Sequence, residues 1–171
     1  IRLLSKNIKV IGIDNLNDYY SVDLKKYRIK KLKSFKNFSF IKNDLSKNIT
    51  LQEILNKKKI KVICHLAAQA GVRYSITNPD IYLKYNIDSF LNVLEYCRKN
   101  KSTNLVYASS SSVYGSNKKV PFSVIDDTSN PVSLYAVTKR TNELMAESYF
   151  NLYNLKSIGL RFFTVYGPWG R

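Results

Sequence analysis

The sequence predicts an α/β fold with a doubly wound parallel sheet. Short runs rich in β-branched and aromatic residues alternate with longer segments of helical periodicity, which is typical of strands joined by helical crossovers. The predicted strands are Lys9–Asp14, Phe38–Asn43, Val62–Leu66, Asn104–Ser109 and Ser157–Phe163. The predicted helices are Val22–Ser34, Leu51–Lys58, Pro79–Asn100 and Pro131–Tyr153. Pro131 is expected near the first turn of its helix, where proline is tolerated.

Length and composition are those of one ordinary folded domain. The chain has 171 residues, 44% of them hydrophobic, so it can bury a sizeable core. It contains no apolar run of the roughly 18 residues that a membrane span needs. Cys64 and Cys97 are the only cysteines and have no metal-binding spacing, which favours a reduced, cytosolic setting.

The net charge of +16 raises the question of a nucleic-acid partner. Lysines supply most of this charge and are spread through predicted helices and loops, and they are densest over residues 25–36 and 57–61. They accompany no basic-aromatic repeat and no recognition module. We therefore interpret the charge as a solvated lysine-rich surface and expect no nucleic acid among the partners.

The first predicted strand ends in Asp14, followed by Asn15. In dinucleotide-binding folds an acidic residue at this point binds the ribose hydroxyls, about 20 residues after a glycine loop. Only 13 residues precede Asp14, and none of them forms such a loop. We expect residues 1–171 to be an incomplete dinucleotide-binding domain that begins with the tail of a crossover helix at Ile1–Ser5. The alternative is a fold whose first strand is Lys9–Asp14.

A tyrosine and a lysine stand four residues apart in the last predicted helix, at Tyr135 and Lys139. Positions four apart share a helix face, with Cβ atoms roughly 5–6 Å apart. Free tyrosine titrates near about 10, and a nearby ammonium group favours the phenolate, so this pair is suited to acid/base chemistry. A run of four serines, residues 109–112, lies upstream.

Four segments resemble motifs of the extended short-chain dehydrogenase/reductase superfamily, in the order in which that superfamily has them. They are His65–Arg73, Tyr107–Gly115, Tyr135–Lys139 and Leu160–Arg171. Within the superfamily the chain is similar to nucleotide-sugar epimerases, above all those acting on UDP-glucuronate, over essentially its whole length. The resemblance implies a Rossmann-like doubly wound parallel sheet. It also implies that the first strand, the glycine loop and the C-terminal substrate domain of these enzymes are lacking here.

The resemblance also assigns the catalytic residues by position. Ser110 corresponds to the catalytic serine, Tyr135 to the general base and Lys139 to its partner, which would also hold the nicotinamide ribose. The alternatives are a buried helix tyrosine, a surface lysine and serines of a strand-end turn. Asn86 is expected to be mostly structural, and the lone histidine, His65, to be a packed strand residue.

The implied cofactor is NAD. Asp14 and Asn15 would hold the adenosine ribose, and an acidic residue there disfavours the 2′-phosphate of NADP. Asp44 would contact the adenine, although it could equally cap the following turn. The full set of cofactor positions implied by the resemblance is Asp14, Asn15, Asp44, Leu45, Ala67, Ala68, Gln69 and Lys139.

The reaction type follows from residues that are missing. Dehydratases of this superfamily carry an Asp-Glu pair where this chain has Ser111 and Ser112, so elimination lacks its acid/base pair and epimerisation through a transient 4-keto sugar is favoured. The implied substrate contacts are Arg73, Ser111, Ser112, Thr164 and Arg171. A surface or salt-bridge role is the alternative for the two arginines.

Together these features lead us to expect NAD-dependent 4-epimerisation of UDP-glucuronate to UDP-galacturonate, for polysaccharide biosynthesis in the cytoplasm. We expect a UDP-sugar as substrate, no metal, no membrane partner and a homodimer in the complete enzyme. Another nucleotide-sugar epimerase, acting for example on UDP-glucose, is the first alternative, and a catalytically silent fragment is the second. The 171-residue chain by itself is expected to be inactive.

Overall fold

The computed structural model describes residues 1–47, 51–55, 58–101 and 103–170. They form two compact units, one of residues 1–44 with 166–171 and one of residues 45–165. Each unit has its own sheet, and every strand pairing in both sheets is parallel. This confirms the predicted α/β class with parallel strands.

The first unit pairs two strands side by side. Its elements are α1 (Arg2–Ser5), β1 (Val10–Asp14), α2 (Val22–Leu32) and β2 (Phe38–Lys42). The register runs from Val10 opposite Phe38 to Asp14 opposite Lys42, so both strands end at the same edge. Helix α2 begins after Ser21, whose hydroxyl accepts a hydrogen bond from the Leu24 amide at 3.2 Å.

The second unit has a three-stranded sheet in the order β3-β4-β5. Its strands are β3 (Val62–His65), β4 (Asn104–Ser110) and β5 (Ser157–Phe162). Its α-helices are α3 (Leu51–Leu55), α4 (Tyr74–Thr77), α5 (Pro79–Tyr82), α6 (Ser89–Lys99) and α7 (Leu134–Tyr153). A π-helix, Leu83–Asp88, joins α5 to α6, and a 3₁₀ turn, Ser111–Tyr114, follows β4.

The core of the second unit lies between its sheet and helices α6 and α7. Tyr107 of β4 is buried and packs its ring 5.0 Å from that of Phe90 of α6. On the neighbouring strand Gly159 makes room for this tyrosine, because a Cβ there would come within 2.6 Å of the Tyr107 ring. Close packing of this kind fixes how β4 and β5 lie next to each other, and hence where both strands end.

The strand predictions agree with the structure to within one residue at every end. Two helices were predicted to extend further toward the C-terminus than they do. The helix predicted over Val22–Ser34 ends at Leu32. The helix predicted over Leu51–Lys58 is observed over Leu51–Leu55, and residues 56 and 57 lie outside the described part of the chain.

The prediction that the last helix begins at Pro131 was wrong. Helix α7 begins at Leu134, and Ser133 caps it by accepting a hydrogen bond from the Ala136 amide at 3.1 Å. The serine hydroxyl satisfies a backbone donor at the helix start, which proline cannot do, and so it sets the first turn three residues later than expected.

The prediction of one continuous α-helix over Pro79–Asn100 was also wrong. The π-helix Leu83–Asp88 interrupts it, and the buried Asn86 lies within that segment. π-Segments inside helices are rare and often occur at functional sites. The short helix α4 was not predicted.

Among the described residues, no helix combines the length and the apolar character needed to cross a membrane.

Candidate active site

Three segments meet at the carboxyl edge of the second sheet. His65, at the end of β3, is in register with Tyr107, and Ser110, at the end of β4, is in register with Phe162 of β5. The loop after β3, the turn after β4 and the segment after β5 therefore leave the sheet on the same side. Ligands bind at this edge in open parallel sheets.

Ser110 is the last residue of β4 and is buried. Its hydroxyl oxygen accepts a hydrogen bond from the Ser112 amide and lies 3.2 Å from the Ser112 hydroxyl. These contacts start the 3₁₀ turn that also contains Ser111. The turn ends at Gly115, which has a φ of 58° and faces the Asn130 carbonyl so closely that a Cβ would lie 2.0 Å from it. Only glycine fits there.

Lys139 places its ammonium group in the interior of the second unit. Its side chain is buried, and its ammonium donates a hydrogen bond to the Ala108 carbonyl of β4 at 2.8 Å. Burial lowers the pKa of Lys139 from 10.5 to about 8. Within the described ranges this carbonyl is its only hydrogen-bond partner, so two of the three ammonium donors are left for other acceptors.

Tyr135 lies in the first turn of α7, four residues before Lys139. Its ring meets that of Tyr82 edge-on, with the centroids 6.0 Å apart. No residue that the structure describes hydrogen-bonds its hydroxyl, and Lys139 donates to β4 instead of to this phenol. The structure thus has Ser110, Tyr135 and Lys139 in one unit, and the tyrosine hydroxyl has no hydrogen-bond partner among the described residues.

Asn86 ties the loop after β3 to helix α7. Its side-chain oxygen accepts from the Gln69 amide at 2.7 Å, and its side-chain nitrogen donates to the Gln69 carbonyl at 3.1 Å and to the Thr138 hydroxyl at 2.9 Å. The Thr138 hydroxyl in turn donates to the Tyr135 carbonyl at 2.9 Å. The expected structural role of Asn86 is confirmed.

His65 is a packed strand residue, as expected. It is buried, and its ring lies 5.5 Å from that of Phe90. Burial, with a smaller contribution from the charge of Lys139, lowers the pKa of His65 to about 3. It therefore stays neutral throughout the physiological range.

The ribose-binding residues inferred from the sequence lie in the first unit, at the carboxyl end of β1. Asp14 is exposed and accepts a hydrogen bond from the Leu16 amide at 2.7 Å, while the Asn15 side chain accepts from the Asn17 amide at 3.0 Å. Both contacts shape the turn after the strand. They leave one carboxylate oxygen of Asp14 with no hydrogen-bond donor among the residues described.

Asp44 and Leu45 follow β2 and are half-buried. The Leu45 carbonyl accepts a hydrogen bond from the Asn92 side chain of α6 at 2.7 Å, which holds Leu45 within the second unit.

Of the remaining candidate residues, all but Arg171 lie in loops of the second unit. Ala67 is exposed, Ala68 is half-buried and the Gln69 side chain is buried, with its amide nitrogen lacking any partner among the described residues. Arg73, just before α4, and Thr164, just after β5, are exposed. In the part of the chain that the structure covers, Arg73 forms no ion pair. Arg171 lies outside the described residues.

Sequence reasoning missed Glu143, a carboxylate on α7 four residues beyond Lys139. Its side chain is only 11% exposed and forms ion pairs with Arg140 and Arg161. Its spacing of four residues from Lys139 places Glu143 on the helix face of Tyr135 and Lys139. That spacing was the one feature of the sequence that could have indicated a role for Glu143. The described residues contain no cluster of three or more His, Cys, Asp or Glu side chains that could hold a metal ion.

The structure defines an α/β fold with parallel sheets, and comparison with known proteins gives the family. The model of the NAD dependent epimerase/dehydratase family matches residues 1–171, so the chain belongs to that family. This family is NAD-dependent.

Among individual relatives, the chain is 48% identical to UDP-glucuronate 4-epimerase 4 of Arabidopsis thaliana, over 95% of its own length and 37% of the relative's. The solved UDP-glucuronic acid 4-epimerase from Bacillus cereus, in complex with UDP-glucuronic acid and NAD, superimposes with a TM-score of 0.89 at 34% identity, covering 99% of this chain and 54% of that one.

A second solved structure is as similar in sequence. The UDP-N-acetylglucosamine 4-epimerase from Methanobrevibacter ruminantium, in complex with UDP-N-acetylmuramic acid, superimposes with a TM-score of 0.79 at 34% identity, covering 94% of this chain and 48% of that chain. The chain spans about half the length of several curated relatives that it matches.

The burial of the Lys139 ammonium can be tested by measuring how the thermal stability of the protein depends on pH. An ammonium group whose pKa is lower in the folded than in the unfolded protein destabilises the folded state. For Lys139 this destabilisation is complete below the folded-state pKa of about 8, and it disappears as the pH rises through the unfolded-state value of 10.5. Lys139→Met should therefore raise the melting temperature of the full-length, NAD-free protein at pH 7, and the gain should shrink between pH 8 and pH 10.5.

The matched control is Lys99→Met, at an exposed position of α6. Thermal unfolding of the three proteins across this pH range is the measurement. A Lys139→Met protein that melts below the wild type at pH 7, or a gain independent of pH, would contradict the assignment of a buried charge.

Proposed function

We propose that the full-length protein catalyses the NAD-dependent 4-epimerisation of a nucleotide sugar. The observation that carries this proposal is the arrangement at the carboxyl edge of the second sheet, where a buried ammonium with two unused donors shares a helix face with an open tyrosine hydroxyl. The serine at the end of β4 completes the set of residue types that this chemistry needs.

Two buried groups of the second unit fit a bound NAD molecule. The Lys139 ammonium and the Gln69 side-chain amide are both buried with unused donors, which would be costly unless a ligand supplied acceptors. We propose that Lys139 holds the nicotinamide ribose hydroxyls and that the backbone of Ala67, Ala68 and Gln69 lies against the cofactor. A bound NAD would supply the acceptor for hydride from the sugar C4 and the donor for its return.

In the first unit, Asp14 and Asn15 are proposed to hold the adenosine ribose. The free oxygen of the exposed Asp14 carboxylate is an acceptor for a ribose hydroxyl and would repel a 2′-phosphate, which supports NAD over NADP. Asp44 and Leu45 are proposed as the adenine contacts.

Proton transfer at the sugar falls to Tyr135 and Ser110. Hydride can leave C4 only as the C4 hydroxyl loses its proton, and the Tyr135 oxygen is the base we propose for this step. The Ser110 hydroxyl would bind the same C4 oxygen and keep it in place. After the sugar has turned over, the protonated Tyr135 can return the proton to the same C4 oxygen, which the Ser110 hydroxyl keeps in place.

Tyr135→Phe removes the base and leaves the ring that packs against Tyr82. In the full-length enzyme we expect kcat to fall by about 10²–10⁴-fold, the range for loss of a positioned acid/base group. The control is Tyr153→Phe, at the exposed end of the same helix, which should leave turnover near normal. Conversion of UDP-sugars followed by chromatography measures both. Near-normal turnover by Tyr135→Phe would show that another group is the base.

Epimerisation is favoured over elimination by the residues next to Ser110. Ser111 and Ser112 are hydroxyl groups held in a 3₁₀ turn, and neither can act as the carboxylate pair that removes water from a sugar. Hydroxyl groups in this position are suited to binding an oxygen-rich substrate. We propose Ser111, Ser112 and Thr164 as contacts to the sugar ring.

UDP-glucuronate is the substrate we favour, because the plant relative of that activity is 48% identical to this chain. A different nucleotide sugar is the second candidate, since the solved N-acetylglucosamine enzyme is as similar as the solved glucuronate enzyme, at 34%. Arg171 is proposed to bind the substrate carboxylate, for which a guanidinium fork has the right geometry.

Arg171→Ala should therefore lower kcat/KM for UDP-glucuronate by about 10–100-fold, as expected for the loss of a hydrogen bond to a charged group. Its effect on UDP-glucose should be small. Arg73→Ala is the matched variant, because Arg73 is exposed and is the other candidate anion contact. Equal losses on both sugars in Arg171→Ala would refute the carboxylate role, and a selective loss in Arg73→Ala would transfer it to Arg73.

We further propose that the full-length enzyme is a cytoplasmic homodimer. Apolar side chains remain exposed on the two long helices of the second unit, at Leu91 of α6 and at Val137 and Leu144 of α7, and such a surface is typical of an interface. Sedimentation equilibrium should give the dimer mass, and a monomer at micromolar concentration would contradict the proposal.

The unpaired thiols Cys64 and Cys97 are compatible with a reducing compartment, which cell fractionation tests.

A further inference from the structure

The Glu143 carboxylate accepts four hydrogen bonds from residues of the second unit. One of its oxygens accepts from the Ser109 hydroxyl at 2.6 Å and from Arg161 Nε at 2.9 Å. The other accepts from Arg161 at 3.0 Å and from Arg140 at 3.0 Å. The contact to Arg161 is the bidentate fork that gives the most defined carboxylate–guanidinium geometry.

The ion pair of Glu143 and Arg161, together with Ser109, connects helix α7 to strands β4 and β5. Ser109 of β4 and Arg161 of β5 are directly opposite each other in the sheet, and both bind the one carboxylate of α7. Ser109 immediately precedes Ser110. The helix is therefore fixed against the two strands at the level where they leave the sheet.

The position of Glu143 on α7 makes this contact relevant to the reaction. Tyr135, Lys139 and Glu143 follow one another at intervals of four residues and so lie along one helix face. With a rise of about 1.5 Å per residue, Glu143 is about 6 Å along the axis from Lys139. A slide or rotation of α7 at Glu143 would move the other two side chains with it.

Arg161 also supports the turn that follows Ser110. Its guanidinium lies over the Tyr114 ring, 4.9 Å from the centroid, and donates to the Val124 carbonyl at 3.2 Å. The Tyr114 ring stacks on Phe122 with the centroids 4.8 Å apart, and Phe122 stacks on Phe163 at 5.8 Å. One guanidinium thus contacts both the helix and the serine turn.

We propose that Glu143 and Arg161 are positioning residues, which hold Tyr135 and Lys139 in place relative to Ser110 for the proposed epimerisation. The inference rests on that proposed function. Reacting groups displaced by about 1 Å can lose about 10²-fold in rate, so a contact that fixes α7 against β4 acts on kcat and not only on stability.

The charges around Glu143 agree with this role. Burial would raise the pKa of the Glu143 carboxyl, but the hydrogen bonds from Arg161 and Ser109 outweigh it and hold the pKa below its ordinary value. The facing charges are Arg140 on the same helix and Arg161 on β5. Tyr107 of β4, whose pKa is raised to about 12 mainly by burial, stays neutral beside them.

The test compares Glu143→Gln with Glu95→Gln in the full-length enzyme. Glu95 is a matched control: it accepts a bidentate contact from Arg98, at 2.8 and 2.9 Å, and a hydroxyl hydrogen bond from Tyr149 at 2.8 Å. Tyr149 lies 14 residues beyond Tyr135 on α7, about 21 Å along the helix axis, so this contact is remote from the proposed reacting groups.

We expect both variants to melt at a lower temperature than the wild type. Only Glu143→Gln should lose kcat, by about 10–100-fold, with KM for the UDP-sugar changed by less than about threefold. Its pH profile of kcat should also shift, because a displacement of α7 changes the contact between the Lys139 ammonium and the Ala108 carbonyl of β4. Glu95→Gln should keep its kcat and its pH profile.

Arg161→Lys provides a second route if Glu143→Gln does not fold. This change keeps the positive charge but removes the two-point fork, and we expect a smaller loss of kcat with the same shift of the pH profile. Unchanged kcat and pH profile in a folded variant of either residue would overturn the positioning role. So would equal losses of kcat in Glu143→Gln and Glu95→Gln.

Tyr135→Phe separates this inference from the proposed function. If Tyr135→Phe is inactive while Glu143→Gln turns over normally, the positioning role fails and the epimerase mechanism stands. If Tyr135→Phe is fully active, the proposed mechanism fails and the positioning inference fails with it.

Discussion

The proposed chemistry depends on a charge kept away from water, the Lys139 ammonium against the Ala108 carbonyl. An ammonium group is buried only at a considerable cost in free energy, and one backbone carbonyl offsets a part of that cost. A fold selected for stability alone would place an apolar side chain there. The buried lysine is therefore best explained by a ligand that brings further acceptors, and ribose hydroxyls are acceptors of the right kind.

Two sets of contacts set the position of the helix that carries this lysine. On one side Asn86, within the π-helix, joins the loop after β3 to Thr138. On the other side Glu143 joins the ends of β4 and β5 to the same helix. Both sets use buried polar groups, which have strict geometric requirements, and so they specify the helix position more narrowly than apolar packing would.

The sequence predicted the strands well because buried parallel strands are short apolar runs, and periodicity detects these directly. It also predicted Ser110 next to the end of β4, and Tyr135 and Lys139 within the last helix, where the structure has them. The start of α7 was wrong because the Ser133 cap prevails over the tolerance for Pro131. The π-helix and the partners of Glu143 depend on contacts between residues far apart in the chain, which local patterns do not contain.

The protonation of Lys139 can be measured directly. In the full-length, NAD-free protein with ¹³C-labelled lysines, the ε-carbon resonance of Lys139, assigned by its loss in a substituted protein, can be followed as the pH is raised. We expect a midpoint of about 8, caused by burial. A midpoint near the ordinary lysine value of about 10.4 would show that the ammonium is solvated, and the site described here would lose its physical basis.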